Sequence, residues 1–134
     1  MNIFVLDWDV KKCAEYHNDK HVVKMILEYS QLLCTAHRLL DDDVDDRLYR
    51  ATHKNHPSAK YVRYTDSNYK FVYRMFTALC DEYTYRYGKV HLTDTKLREL
   101  LKTPPKNIPV GQMTRMPQAM PDEFKCCDSI IAYR

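Results

Sequence analysis

Residues 13–40, CAEYHNDKHVVKMILEYSQLLCTAHRLL, constrain the fold more than any other stretch. Val22, Met25, Ile26, Tyr29, Leu33, Ala36 and Leu40 recur at helical spacing and line one face of a long helix. Just ahead of that stripe, Glu15, His17, Asp19, Lys20, His21 and Lys24 crowd into ten residues. An apolar stripe that runs into titratable groups implies a rigid helix carrying acids, bases and cations at one end. Sites are usually held in place that way.

The remaining sequence extends this into a helical bundle. Gly88 and Gly111 are the only glycines, too few for a turn-rich β-sandwich, and no Gly-rich phosphate loop is present. Asp9 is placed to cap a helix beginning at Val10 and Lys11, and His17–Asn18–Asp19 to interrupt it before a long helix from about Lys20 to Leu40. The acidic block 41–46 reads as a solvated loop or as the start of a short helix around Arg47–Thr52. Pro57 opens a short helix to Tyr64 after a break at Asn55–His56. Thr65 or Asp66 then caps a second long helix to about Tyr87. Its apolar face is Val72, Met75, Phe76, Leu79, Cys80, Tyr83 and Tyr87, and Gly88 is its left-handed stop. Thr93 or Asp94 caps a further helix through Leu97, Leu100 and Leu101, ended by Pro104–Pro105.

At the two ends the pattern changes. Residues 2–7 are apolar and short, and read as an extended arm. Residues 103–121 hold five prolines and read as irregular, with Met113, Met116 and Met120 as apolar wall or filler. A last helix from Asp128 or Ser129 is cut off at Arg134 and looks truncated. The expectation is therefore all-α: a compact single-domain helical bundle over 1–134. It has two long core helices, an N-terminal extended arm and a Pro-rich irregular C-terminal segment.

Net charge is +3, but Asp41, Asp42, Asp43, Asp45 and Asp46 form one block. Without those five carboxylates the remainder stands at about +8, which suits a polyanion partner, DNA or a nucleotide. Five cysteines form no regular framework, and no signal peptide or membrane-length apolar run is present. Reduced thiols, a cytoplasmic location and no membrane partner are the simplest reading.

Four groups of side chains carry possible chemistry. Glu15, His17, Asp19 and His21 with Lys20 and Lys24 suit acid–base or amine chemistry, though a salt-bridged helix start has the same composition. Cys13, His17 and His21 form a C-x3-H-x3-H stripe of zinc-type ligands. It lacks an evident fourth ligand, so neither a metal nor another cofactor is expected. His53, Asn55, His56, Ser58 and Arg63 surround a helix start that suits a phosphate, or simply form a polar loop. Asn68, Lys70 and Arg74, interleaved with Tyr69 and Tyr73, and Tyr85 and Arg86 at the end of the same helix, suit stacked or flipped bases, or the cationic outer face of a core helix.

Three runs, AEYHNDKHVV, NHPSAKYVRYTDSNYKFVYRMFTALCDEYTYRYGK and the late Pro-rich segment, resemble a phage family distantly similar to pyrimidine-dimer DNA glycosylases of the T4 endonuclease V type. The resemblance implies a compact all-helical protein. In that family an N-terminal amine attacks the sugar carbon of a damaged nucleotide, a carboxylate on the first long helix assists, and the resulting imine permits strand cleavage. Carried over, the amine belongs to Met1, since Asn2 is too large for removal of the initiator Met to be expected. Counted from AEY, the carboxylate position falls on Asn18, with Asp19 one residue on. Family arginines that grip DNA fall on His17 and His21, and the family's C-terminal aromatic tail has no counterpart.

The expected function is thus a phage DNA glycosylase, with AP-lyase activity as an extension, working in the infected host cell. Met1, Asp19, Lys20 and Glu15 are its expected catalytic groups. His17, Asn18, His21, Lys24, His53, Asn55, His56, Ser58, Arg63, Asn68, Lys70 and Arg74 are its expected contacts to nucleic acid. The alternative is a non-catalytic protein that binds and sequesters a nucleotide or nucleic acid.

Overall fold

The computed structural model describes residues 9–114, apart from Asn18 and Asp43, with only the backbone of Cys13, Tyr16 and His21. The arm expected at 2–7, the chain beyond Thr114 and the final helix fall outside the described residues. Five helices follow in order: α1 Val10–Tyr16, α2 Asp19–Leu40, α3 Pro57–Tyr64, α4 Asp66–Tyr87 and α5 Leu92–Leu101. No strand occurs among the described residues, so the all-α expectation holds.

The caps explain where the helices start. Asp9 accepts from the amides of Lys11 at 3.0 Å and Lys12 at 3.2 Å, satisfying donors that the first turn of α1 leaves open. α1 ends at His17, where ψ swings to 140°. Thr65 caps α4 through its hydroxyl, and Gly88 ends it at φ 67°. The cap of α5 is His91 rather than Thr93 or Asp94, so this helix begins at Leu92.

α2 is the core element. The stripe from Val22 to Ala36 is buried, and between Tyr29 and His37 every residue but Gln31 is buried. One face would not account for that. α2 is instead packed by α3, α4 and α5 on several sides. On α4, Val72, Met75, Phe76, Leu79 and Cys80 are buried, Tyr83 is half-buried and Tyr87 is exposed. The helix outruns the core, and its last turns carry polar groups to the surface.

Residues 47–52 do not form the short helix that the sequence allowed. The Arg38 guanidinium takes the carbonyls of Leu48 at 2.7 Å and Tyr49 at 2.8 Å. The Thr35 hydroxyl accepts from the Thr52 amide at 3.1 Å. Carbonyls committed to a side chain are lost to an i→i+4 ladder. After α5, residues 109–114 cross the N-terminus of α4. The Asp66 amide donates to Pro109 O, the Asp66 carboxylate accepts from the Gly111 amide, and the Ser67 hydroxyl donates to Gly111 O at 2.6 Å.

A candidate active site at the elbow between α1 and α2

The break at His17 turns the chain from α1 into α2 and forms an elbow. α1 packs on α4, and the C-terminal end of α4 reaches this elbow through Arg86. Arg86 Nε donates to Glu82 Oε1 at 2.9 Å, one helical turn back. Its Nη1 donates to Asp19 Oδ1 at 3.0 Å, at the head of α2. Its Nη2 donates to the carbonyl of Glu15 at 3.1 Å, at the end of α1. One guanidinium therefore ties three helices. Burial works against its charge, but Glu82 and then Asp19 outweigh burial and raise its pKa above the ordinary arginine value.

Asp19, like Glu15, is an expected acid that stands exposed. Its side chain is 72% exposed, while those of Arg86 and Glu82 are 18% and 15% exposed. Its place in the first turn of α2 suits a negative charge. Beside it, Lys20 and Lys24 are exposed one turn apart on α2 and, with Val23 and Tyr87, line a shallow hollow. On the other side a groove of about 890 Å³ runs between α1 and α4. Glu15 and Glu82 line it close to the elbow, and Lys11, Arg74 and Tyr85 also line it. Arg74 is exposed, with its guanidinium 5.9 Å from the Phe71 ring centre.

The other expected residues are placed as follows. Met1 and Asn18 lie outside the described residues, as does the side chain of His21. His17 is buried at the end of α1, and its extended backbone breaks the helical spacing that a Cys13–His17–His21 ligand stripe requires. Lys70 is exposed and 3.6 Å from Asp66. Asn68 is a correction. It is fully buried, its amide donates to Tyr61 O and Thr114 Oγ1, and its carbonyl accepts from the Thr114 amide. It secures the segment after α5 and has no surface to offer a base.

The start of α3 is also used internally. His56 caps it, with Nδ1 accepting from the Ser58 amide at 3.1 Å, so the donor a phosphate would want is taken. Burial lowers the His56 pKa, which favours the neutral ring that this bond requires. Ser58 itself is buried, and Arg63 is half-buried. His53 is exposed at φ 49° and bonds to the neighbouring Thr52 hydroxyl. Asn55 is exposed in the same turn.

In sequence Arg86 is one cation among the tyrosines at the end of α4. Glu82 and Arg86 stand four apart in the last turns of α4, an acid–base spacing visible in sequence that marks a pre-oriented guanidinium. The partners 67 and 71 positions away carry no such signal.

A family model described as pyrimidine dimer DNA glycosylase matches residues 1–96. The chain belongs to that family. The match takes in the elbow, the groove, α3, all of α4 and the first half of α5, and stops short of the segment that crosses α4. Comparison with curated proteins and with solved structures gave no match. As members of a family of DNA glycosylases, these elements have DNA as their substrate. Among the described residues, no helix is long and apolar enough to cross a membrane.

Proposed function

We propose that the chain releases a damaged pyrimidine from DNA and follows base release with a lyase step, both at the elbow. The observation that carries this reading is the exposed Asp19 carboxylate at the head of α2, held by Arg86, in a chain of this family. The nucleophile is an amine: that of Met1, as the family resemblance implies, or Nζ of Lys20, the residue after Asp19 on α2. A terminal amine, with a reference pKa of about 7.7–8.0, is partly neutral at neutral pH and can attack.

The amine lone pair attacks C1′ of the damaged nucleotide. The C1′–N bond breaks, and its electron pair leaves with the base, which takes up a proton. The amine then loses a proton, the C1′–O4′ bond opens, O4′ is protonated and a cationic imine remains. Asp19 stabilises positive charge developing at C1′. Glu15, in the last turn of α1, receives the C2′ proton, after which the 3′-phosphate leaves and the strand is cut. Lys24 and Arg74, and Lys20 where the Met1 amine attacks, hold backbone phosphates, and the groove offers room beside Arg74 for an unstacked nucleotide.

Borohydride trapping tests this, because hydride converts the imine into a stable amine. Incubation with duplex carrying a pyrimidine dimer or an abasic site is expected to give a covalent protein–DNA adduct. Asp19→Asn is expected to lower its yield about tenfold or more, in the range set by loss of a transition-state contact. An adduct that persists in Lys20→Gln assigns the attack to the Met1 amine. No adduct on either DNA removes the lyase step, and no base release removes the whole reading.

A further inference from the structure

Arg86 does more at the elbow than an ordinary surface pair requires. An exposed ion pair such as Asp19–Arg86 adds little to stability. The guanidinium is nonetheless fixed before it reaches Asp19, because the half-buried Glu82 carboxylate holds its Nε edge. A planar fork anchored on one edge has its other two nitrogens in set directions. One points at the last turn of α1 and the other at the first turn of α2. The two sides of the break at His17 are thus referenced to a single rigid group on α4. Asp19 gives only Oδ1 to that group, and its Oδ2 takes no bond among the described residues. One oxygen is held, and the side chain as a whole is 72% exposed.

We infer that Arg86 is a positioning residue: through its bonds to Asp19 and to the Glu15 carbonyl it sets the elbow and aims the Asp19 carboxylate at the reacting sugar. The inference rests on the reading of Asp19 given above. Arg86 itself touches no reacting atom, and Glu82 serves as its anchor. A reaction that depends on a carboxylate at one distance from C1′ is sensitive to shifts of about 1 Å, whereas binding of a long duplex by dispersed phosphate contacts is not.

The test is a double-mutant cycle read by single-turnover base release from dimer-containing duplex, with Kd for the same duplex measured in parallel. Arg86→Gln is expected to slow base release about tenfold or more while Kd stays within about twofold. In the Asp19→Asn background, Arg86→Gln is expected to add almost nothing. Glu82→Gln, which leaves the arginine but frees its edge, is expected to slow release less, and again to add nothing to Asp19→Asn. This second cycle decides the matter if Arg86→Gln does not fold. Losses that multiply, an unchanged rate in Arg86→Gln, or a rate and affinity that fall together would each overturn the positioning role. A wild-type protein that releases no base removes the Asp19 reading and this inference with it. An active wild type with multiplying losses removes the inference alone.

Discussion

Asn68 completes three hydrogen bonds with one side-chain amide, and all three are inside the protein. Its Nδ2 serves the carbonyl of Tyr61 at 2.9 Å and the hydroxyl of Thr114 at 2.7 Å, while Oδ1 takes the Thr114 amide at 2.8 Å. Truncation to Ala leaves the Tyr61 carbonyl and the Thr114 amide without these partners, and buried unsatisfied groups cost about 1–3 kcal/mol each. Asn68→Ala is therefore expected to lose about 2–3 kcal/mol in urea unfolding at unchanged slope. Its affinity for DNA should stay near that of the wild type at temperatures where it is folded. A variant of normal stability with weak DNA binding would return Asn68 to the interface. Asn68 and Arg86 look alike in sequence, each a polar residue among tyrosines on α4. Their different roles come from what lies opposite, Thr114 for one and Asp19 for the other, and no local pattern encodes that.

At the scale of elements, the helix starts reveal a pH dependence. α3 and α5 are both capped by a histidine whose Nδ1 accepts an amide, from Ser58 and from Thr93, each at 3.1 Å. Only the neutral ring has an acceptor nitrogen. Burial lowers the pKa of His56, with His53 adding to it, and lowers that of His91 against the opposing pull of Asp94. Burial also lowers His37, whose Nε2 bonds to the Tyr69 hydroxyl, with Asp41 opposing. In all three the folded value lies below the unfolded value of about 6.5. Below that pH the unfolded chain binds protons that the folded chain refuses. Stability is therefore full above about 6.5 and is lost as pH falls from there through the folded values. The Tm is expected to drop between pH 7.5 and 5, above the range where Asp45 and Asp66 titrate. His91→Asn, which caps without titrating, should shrink that drop, and an equal drop in the variant would clear His91 of a part in it. These caps also show how far sequence could reach. Asp9, Thr65, Pro57 and Gly88 mark their boundaries by chemistry that acts within a few residues, so α1, α3 and α4 were legible close to their true limits. Histidine is not a preferred cap, so α5 was expected two or three residues late. The elbow at His17 was visible as a break in period, but the Arg86 bonds that span it were not.

Across the whole molecule, α2 sets the exposed lysines of the elbow apart from the acidic loop. Its 22 residues span about 33 Å, and Asp41 follows at the far end from Asp19. Lys20 and Lys24 stand at the elbow end, and exposed Asp42, Asp45 and Asp46 at the other. That separation is about four Debye lengths at physiological salt, so the acidic loop hardly weakens phosphate contacts made at the elbow. It can still repel a duplex that approaches from the wrong end, which favours encounters that bring the elbow to DNA. If Lys20 and Lys24 each neutralise a phosphate, replacing both with Gln removes about two released counterions. The slope of log K against log salt for undamaged duplex should then fall in magnitude by about 1.8, with weaker binding at every salt concentration below the crossing point. Asp42→Asn with Asp46→Asn, at the remote end, should leave that slope almost unchanged and alter mainly the association rate at low salt. Titrations from about 50 to 200 mM salt by fluorescence anisotropy separate the two cases. A slope that responds to the aspartate pair as strongly as to the lysine pair would place the duplex along the length of α2 rather than at its head, and would take the elbow out of the DNA-binding face.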